Sequence, residues 1–425
     1  MKEADFFSEK KPVLGINGLG RIGKLSLWHH IGRKYFKEIV VNQGREIGMG
    51  MDAVAQTIEK DSTYGLMHTF LYGINAAPLI KIADEKQGKL LIDGIPVTVL
   101  RKARNPKDIP WRDCGVEVVA ECTGAFLDPT SSPDSEKGSI RGHHLAGARV
   151  VINSAAFKIK NKALAMPDDA VTLIYGINHQ AFNPHRHTLI SAASCTTTGL
   201  AHMIKPLLEN EKTRCILTAS MSTVHAVTNS QSVLDNVPKA GAKDLRKTRS
   251  ILDNIILTST NAAEALALAI PEVKEIGFMA DSIRIPTKTE SLIILNVTFQ
   301  SKMAEDGKIS AIDAEAINDI YRQAEARSPE RLLVYSDEQN VSSDVAGINA
   351  SIVIEGQFNH TRTALIDVDL SQIPGLSRDL LDSFALKTLE IPVVHAKIFG
   401  WYDNEYGSYT NRMGDLTVCA HKMMK

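Results

Sequence analysis

Gly15-Ile-Asn-Gly-Leu-Gly-Arg-Ile-Gly23 decides the fold. It holds the spacing Gly18-x-Gly20-x-x-Gly23 directly after a short apolar run at 12–17. It also opens a segment, 21–35, in which Ile22, Leu25, Trp28 and Ile31 recur at helical spacing. Residues 39–41 read as a second strand, so the chain begins strand, glycine loop, helix, strand: a βαβ unit. There the first glycine permits a tight turn, the second lets backbone approach a pyrophosphate, and the third packs helix on strand. The helix N-terminus adds partial positive charge. A glycine-rich turn without a ligand is the plainer alternative, but a strand before and a helix after favour a bound dinucleotide.

Further along, residues 90–92 and 95–100 flank Asp93-Gly94, the signature of a hairpin with a type I′ turn. Residues 116–120, 149–152, 171–175 and 189–192 add strands, and 128–138 is loop by composition. Past Cys195 the pattern changes. Residues 196–209 read as helix, 215–227 and 291–300 as long alternating strands, and 310–326 as an amphipathic helix with Ser310 as its N-cap. The expected architecture is an α/β Rossmann dinucleotide-binding domain followed by an α+β domain with a largely antiparallel sheet.

The 425 residues allow two or three domains at roughly 150 each. A hydrophobic content of 44% and a charged content of 23% exclude wholesale disorder. Forty-eight basic against 49 acidic residues leave a net charge of −1, which argues against nucleic acid or an anionic membrane as partner. No apolar run approaches the roughly 20 residues that span a bilayer, and MKEADFFSEKK lacks the apolar core of a signal peptide. The five cysteines form no CxxC pair and no zinc spacing, so no metal site is expected. Such a sparse, odd set suits a reducing compartment, and a cytoplasmic protein is expected.

Cys195, in Ser191-Ala-Ala-Ser-Cys-Thr-Thr-Thr-Gly199, falls where a strand ends and a helix begins. Aligned N–H dipoles there are expected to lower the thiol pKa and to hold an oxyanion. A free cysteine is commonly a small buried hydrophobe. The collar of Ser194, Thr196, Thr197 and Thr198 instead suits a phosphate or carbonyl site. His225 ends the run Ser222-Thr-Val-His-Ala-Val-Thr228 and is the expected partner of the thiol, able to activate it and to shuttle a proton. Arg284, on a β-run before Pro286, reads as a phosphate fork or as a solvated surface charge. The segment 401–412 (WYDNEYGSYTNR) is too polar and aromatic to be plain core.

With these stretches in hand, the chain resembles the phosphorylating glyceraldehyde-3-phosphate dehydrogenases. The resemblance is carried by GINGLGRIG (15–23), KDSTYG (60–65), ECTG (121–124), ASCTT (193–197), STVHAVT (222–228), RIPT (284–287), SSD (342–344) and WYDNEYG (401–407). They fall in the family's order over nearly the whole chain. The resemblance implies an N-terminal extension at 1–10, a Rossmann domain at 11–194, a catalytic domain at 195–400, and a segment at 401–425 returning to the cofactor domain. It also implies a homotetramer, and a place in glycolysis or gluconeogenesis. By the same resemblance Cys195 is the nucleophile and His225 its base. Ser194, Thr196, Thr260 and Asn261 line the site for attacking inorganic phosphate, with Lys247 where the family usually has Arg. Thr228 and Arg284 hold the phosphate of glyceraldehyde 3-phosphate. Gly18, Gly20, Arg21, Ile22 and Thr123 contact the dinucleotide, and Asn404 orients the nicotinamide.

Several positions depart from the family pattern. Its second cysteine is Gly199 here, Asn261 replaces a usual glycine, and Ser408 is inserted before Tyr409. Several dozen extra residues lie at the N-terminus, near 158–169 and between 351 and 395, and read as surface insertions. The strand end that usually carries Asp reads Asn42-Gln43-Gly44-Arg45. Gln43 still offers an acceptor to a ribose hydroxyl, and Arg45 can accommodate a 2′-phosphate, so NAD is expected and NADP should be tolerated. Two other readings stand beside the first: an erythrose-4-phosphate dehydrogenase that hydrolyses its thioester, and a non-catalytic redox sensor. The sensor is disfavoured because Cys195, His225 and Arg284 are all present.

Overall fold

The computed structural model describes residues 12–303, 309, 312–384 and 386–425. The expected extension at 1–10 and the N-cap Ser310 lie outside the described residues. The chain divides into two compact units, one running to Ser194 and taking up Tyr409–Lys425, the other Cys195–Ser408. Residues 401–408 thus stay with the second unit, and the return begins at Tyr409 rather than at 401.

In the first unit Val13–Asn17 (β1), Arg21–Arg33 (α1) and Glu38–Asn42 (β2) form the expected βαβ opening. A helix at Gly50–Glu59 (α2) follows, unannounced by the sequence reading. Ile80–Asp84 (β3), Lys89–Ile92 (β4) and Ile95–Leu100 (β5) make an antiparallel meander. Its tight turn sets Asp93 and Gly94 at φ 48° and 80°, both left-handed as a type I′ turn requires. Val118–Glu121 (β6), Val150–Asn153 (β7), Ala170–Thr172 (β8) and Leu189–Ser191 (β9) complete the sheet. Among the described residues its order is β8-β9-β7-β6-β1-β2-β5-β4-β3. The strands from β8 to β5 are parallel. The central ones are buried over nearly their whole length, which explains their apolar runs.

Two local outcomes have clear causes. The expected strand at 171–175 stops at Thr172 because the Asn178 side chain intervenes. Its Oδ1 accepts the Ile174 N–H at 2.8 Å and its Nδ2 donates to Thr172 O at 3.0 Å. The returning helix Asn411–Met423 packs on α1, where Arg33 bonds Asp415 at 2.7 Å and the Asn411 carbonyl at 2.8 Å. Gly414 leaves room for that guanidinium; a Cβ there would sit 2.9 Å from Arg33 Nη1.

The second unit opens with Cys195–Glu209 (α3) and Ile216–His225 (β10). Then come Ile256–Thr258 (β11), Ala262–Ala269 (α4), Gly277–Arg284 (β12) and Ser291–Gln300 (β13). The next helix is Ala314–Ala326 (α5), capped by Asp313, whose carboxylate accepts the Ala316 N–H at 2.8 Å. Leu333–Ser336 (β14), Ile352–Glu355 (β15), His360–Asp369 (β16) and Thr388–Tyr402 (β17) end the unit. The sheet runs β11-β12-β10-β13-β17-β15-β14, with β16 on β17. Among the described residues only β10/β12 and β14/β15 are parallel, so the sheet is largely antiparallel as expected. Strict alternation of buried and half-buried residues along β13 places its apolar face in the core. The extra residues between 351 and 395 include β16 and the first half of β17. They form an exposed hairpin with Ile366 opposite Ile391 and Val368 opposite Leu389.

Candidate active site

Four strand ends converge where α3 begins. Ala193, left-handed at φ 58°, turns the chain out of β9, and Cys195 is the first residue of α3. His225 is the last residue of β10 and pairs in parallel register with Arg284, the last of β12. Ser291, the first of β13, faces Tyr402, the last of β17, and Asn404 follows two residues on. Cys195 Sγ consequently lies 3.6 Å from His225 Nε2. The expected nucleophile and base meet.

The ring's protonation follows from its neighbours. His225 Nδ1 stands 2.7 Å from the Ala226 carbonyl, and Nε2 is the ring nitrogen that faces the thiol. Arg284 Nη1 packs against Nδ1 and donates to the same carbonyl at 3.2 Å. Burial, then the Arg284 charge, push the imidazole pKa down to about 3. The thiol goes the other way. Burial pushes it above its ordinary value and the Glu405 carboxylate adds to that, against Arg284, Asn404 and the Thr196 N–H. The expected depression by the helix start is therefore corrected: desolvation outweighs the dipoles. Burial thus disfavours the charged form of each group.

The remaining substrate-side residues sit on several elements. Thr228 lies beyond β10, bonded to Ser230 at 2.9 Å and Gln231 at 3.0 Å. The Thr196 hydroxyl is 2.8 Å from Tyr402 OH, which also sits 2.7 Å from Thr223 Oγ1, so it is bonded to Tyr402 in this structure. Thr260 accepts the Ala262 N–H at 3.2 Å at the head of α4, beside exposed Asn261. Lys247 is exposed on a short turn at Leu245–Thr248. Among the described residues no hydrogen bond joins Lys247, Thr260 or Asn261 to Cys195, His225 or Arg284. Ser194 directly precedes Cys195 and is half-buried. Gly199 is explained by crowding, since a Cβ there would lie 3.2 Å from Ile352 and 3.4 Å from Ile293.

In the first unit the glycine loop has the geometry of a phosphate cradle. Gly18 is left-handed at φ 97°, and a Cβ on Gly23 would stand 1.8 Å from Gly18 O, so helix and loop touch as only glycine allows. A Cβ on Gly20 would meet nothing within 4 Å: that side of the loop is open. Arg21 and Ile22 begin α1, whose N-terminus has neither a side-chain cap nor an acidic residue in its first turn, an arrangement that suits an anion. Thr123 is held through its N–H and hydroxyl by Glu121, which also accepts from Asn17 at 2.6 Å and from His143 at 2.9 Å. Trp111 donates to His143 Nδ1 at 2.9 Å, which leaves the proton on Nε2 for Glu121. These residues fit a dinucleotide. Gln43 is engaged within the loop, its Oε1 accepting the Leu19 N–H at 3.0 Å.

Comparison with known proteins agrees with this geometry. Residues 13–129 match the family model for the glyceraldehyde 3-phosphate dehydrogenase NAD binding domain, and residues 194–373 match its C-terminal domain. The chain belongs to the glyceraldehyde-3-phosphate dehydrogenase family. The family member from Streptomyces coelicolor is 33% identical over 405 residues, covering 95% of this chain and 97% of the relative. The one from Borreliella burgdorferi is 32% identical over 420 residues, covering 97% and 99%. Glyceraldehyde-3-phosphate dehydrogenase 2 of Bacillus subtilis is 30% identical over 415 residues, covering 98% of each chain. The protein is thus an oxidoreductase of this family, with NAD as its cofactor. Among the described residues no helix is long and apolar enough to cross a membrane.

Sequence reasoning missed the residues that hold the site. Tyr402 and Ser291 could have been found by projecting the alternation of β13 and β17 to their ends. Asp403 fixes the following turn, accepting N–H groups from Gly347 at 2.9 Å, Glu405 at 3.0 Å and Gly407 at 3.0 Å. The inserted Ser408 is absorbed by a π-helical turn at Tyr406–Thr410, the helix type that takes up one extra residue, and its hydroxyl donates to Ser351 O at 2.9 Å. Glu290 gave no signal at all. It is left-handed at φ 64° and 3% exposed, and among the described residues neither carboxylate oxygen has a hydrogen-bond partner. Burial, reinforced by Asp403 and Glu405, pushes its pKa up to about 10.

That carboxyl makes a stability prediction. Between about pH 4.5 and 10 the folded chain keeps a proton that the unfolded chain has released, so stability should fall as pH rises, by up to about 1.4 kcal/mol per pH unit. Urea unfolding of wild type and Glu290→Gln from pH 6 to 9 should give a flatter profile for the variant, its advantage growing with pH. Parallel profiles would contradict the assignment.

Proposed function

We propose that the protein oxidises glyceraldehyde 3-phosphate to 1,3-bisphosphoglycerate, with inorganic phosphate as second substrate. The supporting observation is His225 Nε2 at 3.6 Å from Cys195 Sγ, with Arg284 at the neighbouring strand end. As sulfur attacks the aldehyde carbon, the thiol proton passes to Nε2 and then to the carbonyl oxygen, giving a thiohemiacetal. Nε2 takes that hydroxyl proton back as the carbon is oxidised to a thioester. The nicotinamide of the bound cofactor supplies the hydride acceptor. Phosphate then attacks the thioester, and the imidazolium returns its proton to the departing sulfur. A neutral imidazole suits this sequence, because it must accept a proton at each oxidation. Thr228 and Arg284 would hold the phosphate of the substrate, and Ser194, Thr196, Thr260, Asn261 and Lys247 would receive inorganic phosphate. Assembly as a homotetramer belongs to the same reading and follows from the family resemblance.

Hydrolysis of the thioester, as in an erythrose-4-phosphate dehydrogenase, is the second reading. It is favoured by the changed phosphate-site residues, Lys247 where the family usually has Arg and Asn261 where it usually has glycine. Steady-state NADH formation from each aldehyde, with and without inorganic phosphate, separates the two. The first reading expects turnover of glyceraldehyde 3-phosphate that depends on phosphate; phosphate-independent turnover of erythrose 4-phosphate supports the second. His225→Asn should slow single-turnover hydride transfer by ~10² to 10⁴, and an unchanged rate would remove His225 from the mechanism.

Tolerance of NADP is part of the proposal. Gln43 carries no charge, Arg45 is exposed, and Arg104 donates to Gly44 O at 3.2 Å, so a neutral amide and cations stand where the family usually keeps a carboxylate. Calorimetric titration should show NADP binding to wild type and a loss of about tenfold or more in Gln43→Asp, one buried-charge mismatch being worth at least ~1.4 kcal/mol. Exclusion of NADP by wild type, with no change in the variant, would contradict this reading of the loop.

A further inference from the structure

We propose that Ser291 is a positioning residue: it locks the amide of Asn404 so that its nitrogen, not its oxygen, faces the Cys195 sulfur. Ser291 is 1% exposed and sits at the start of β13 opposite Tyr402. Its hydroxyl accepts the Ala226 N–H at 3.0 Å and donates its single proton to Asn404 Oδ1 at 2.9 Å. With the oxygen held, Asn404 Nδ2 stands 3.2 Å from His225 Nε2 and 3.9 Å from Cys195 Sγ. The network fixes this sense. The Ser291 hydroxyl proton is directed at Oδ1, and turning the amide over would break that bond.

The consequence falls on the nucleophile. When the sulfur becomes anionic, the Asn404 N–H groups become charge-assisted donors at its edge. The other titratable or charged groups facing it are His225 from β10, Arg284 from β12, and Tyr402 and Glu405 from the end of β17 and the turn beyond. Glu405 opposes the thiolate, and Arg284 and Asn404 favour it. Ser291 therefore decides the sign of the Asn404 contribution without touching the sulfur.

The proposal rests on reading Cys195 as the nucleophile, but its test uses neither aldehyde, cofactor nor phosphate. Iodoacetamide alkylation of Cys195 in the full chain, followed by peptide mass from pH 6 to 10, reports the thiolate fraction directly. Ser291→Ala should raise the midpoint by about one pH unit, the shift expected from losing one hydrogen bond to a charged group, and Ser291→Thr should restore it. Ala226 loses a partner in Ser291→Ala as well, so the cycle is completed with Asn404→Ala. That variant should show the same rise, and the double variant no further rise. A Ser291→Ala profile that overlies wild type, additive shifts in the double variant, or no shift in Asn404→Ala would each overturn the proposal. Should Ser291→Ala fail to fold, Asn404→Ala and Ser291→Thr still decide. The expected shifts in a protein that oxidises no aldehyde would refute the proposed function and leave the role of Ser291 intact; flat profiles in an active dehydrogenase would do the reverse.

Discussion

A contact of 3.6 Å between a half-buried thiol and a buried imidazole sets the terms for the second unit. Cys195 belongs to a helix start and His225 to a strand end, so the contact exists only if α3 meets the sheet at the edge of β10. That requirement propagates. The parallel register of β10 with β12 brings Arg284 beside His225, and the antiparallel register of β13 with β17 brings Ser291 and Tyr402 together. Gly199 belongs to the same constraint, because a side chain one turn into α3 would press on Ile293 and Ile352.

Burial gives the pair its character. A helix N-terminus alone would favour a thiolate, and an imidazole beside one would favour an ion pair. Here desolvation acts on both groups in the direction of neutrality, and Arg284 further disfavours an imidazolium. The same low-dielectric surroundings make the orientation of each nearby polar group consequential, which is why a serine hydroxyl two contacts away can bear on the sulfur.

Much of this was legible in the sequence where chemistry demands particular residues at short spacing. Gly18, Gly20 and Gly23 announce a helix that must touch its loop, and Asp93-Gly94 announces a turn that only left-handed residues make. Cys195 and His225 could be paired because a nucleophile needs a base. What escaped was of two kinds. Some of it was local: the strand at 171–175 is cut short by the Asn178 side chain, and α5 begins at Ala314 because Asp313 caps it. The rest depends on distant parts of the chain: Gln43 is held by the Leu19 N–H, and Glu290 matters only because folding places it near Asp403 and Glu405.

The central claim is that the oxidised substrate is carried on one sulfur, and a covalent intermediate can be weighed. Wild-type protein mixed with glyceraldehyde 3-phosphate and NAD, without inorganic phosphate, then acid-quenched and mapped by peptide mass, tests it directly. The account predicts one acyl group per chain on the peptide containing Cys195, matched by one equivalent of NADH, and its discharge when phosphate is added. NADH formation with no adduct on Cys195, or with the adduct on Cys114, Cys122, Cys215 or Cys419, would contradict it.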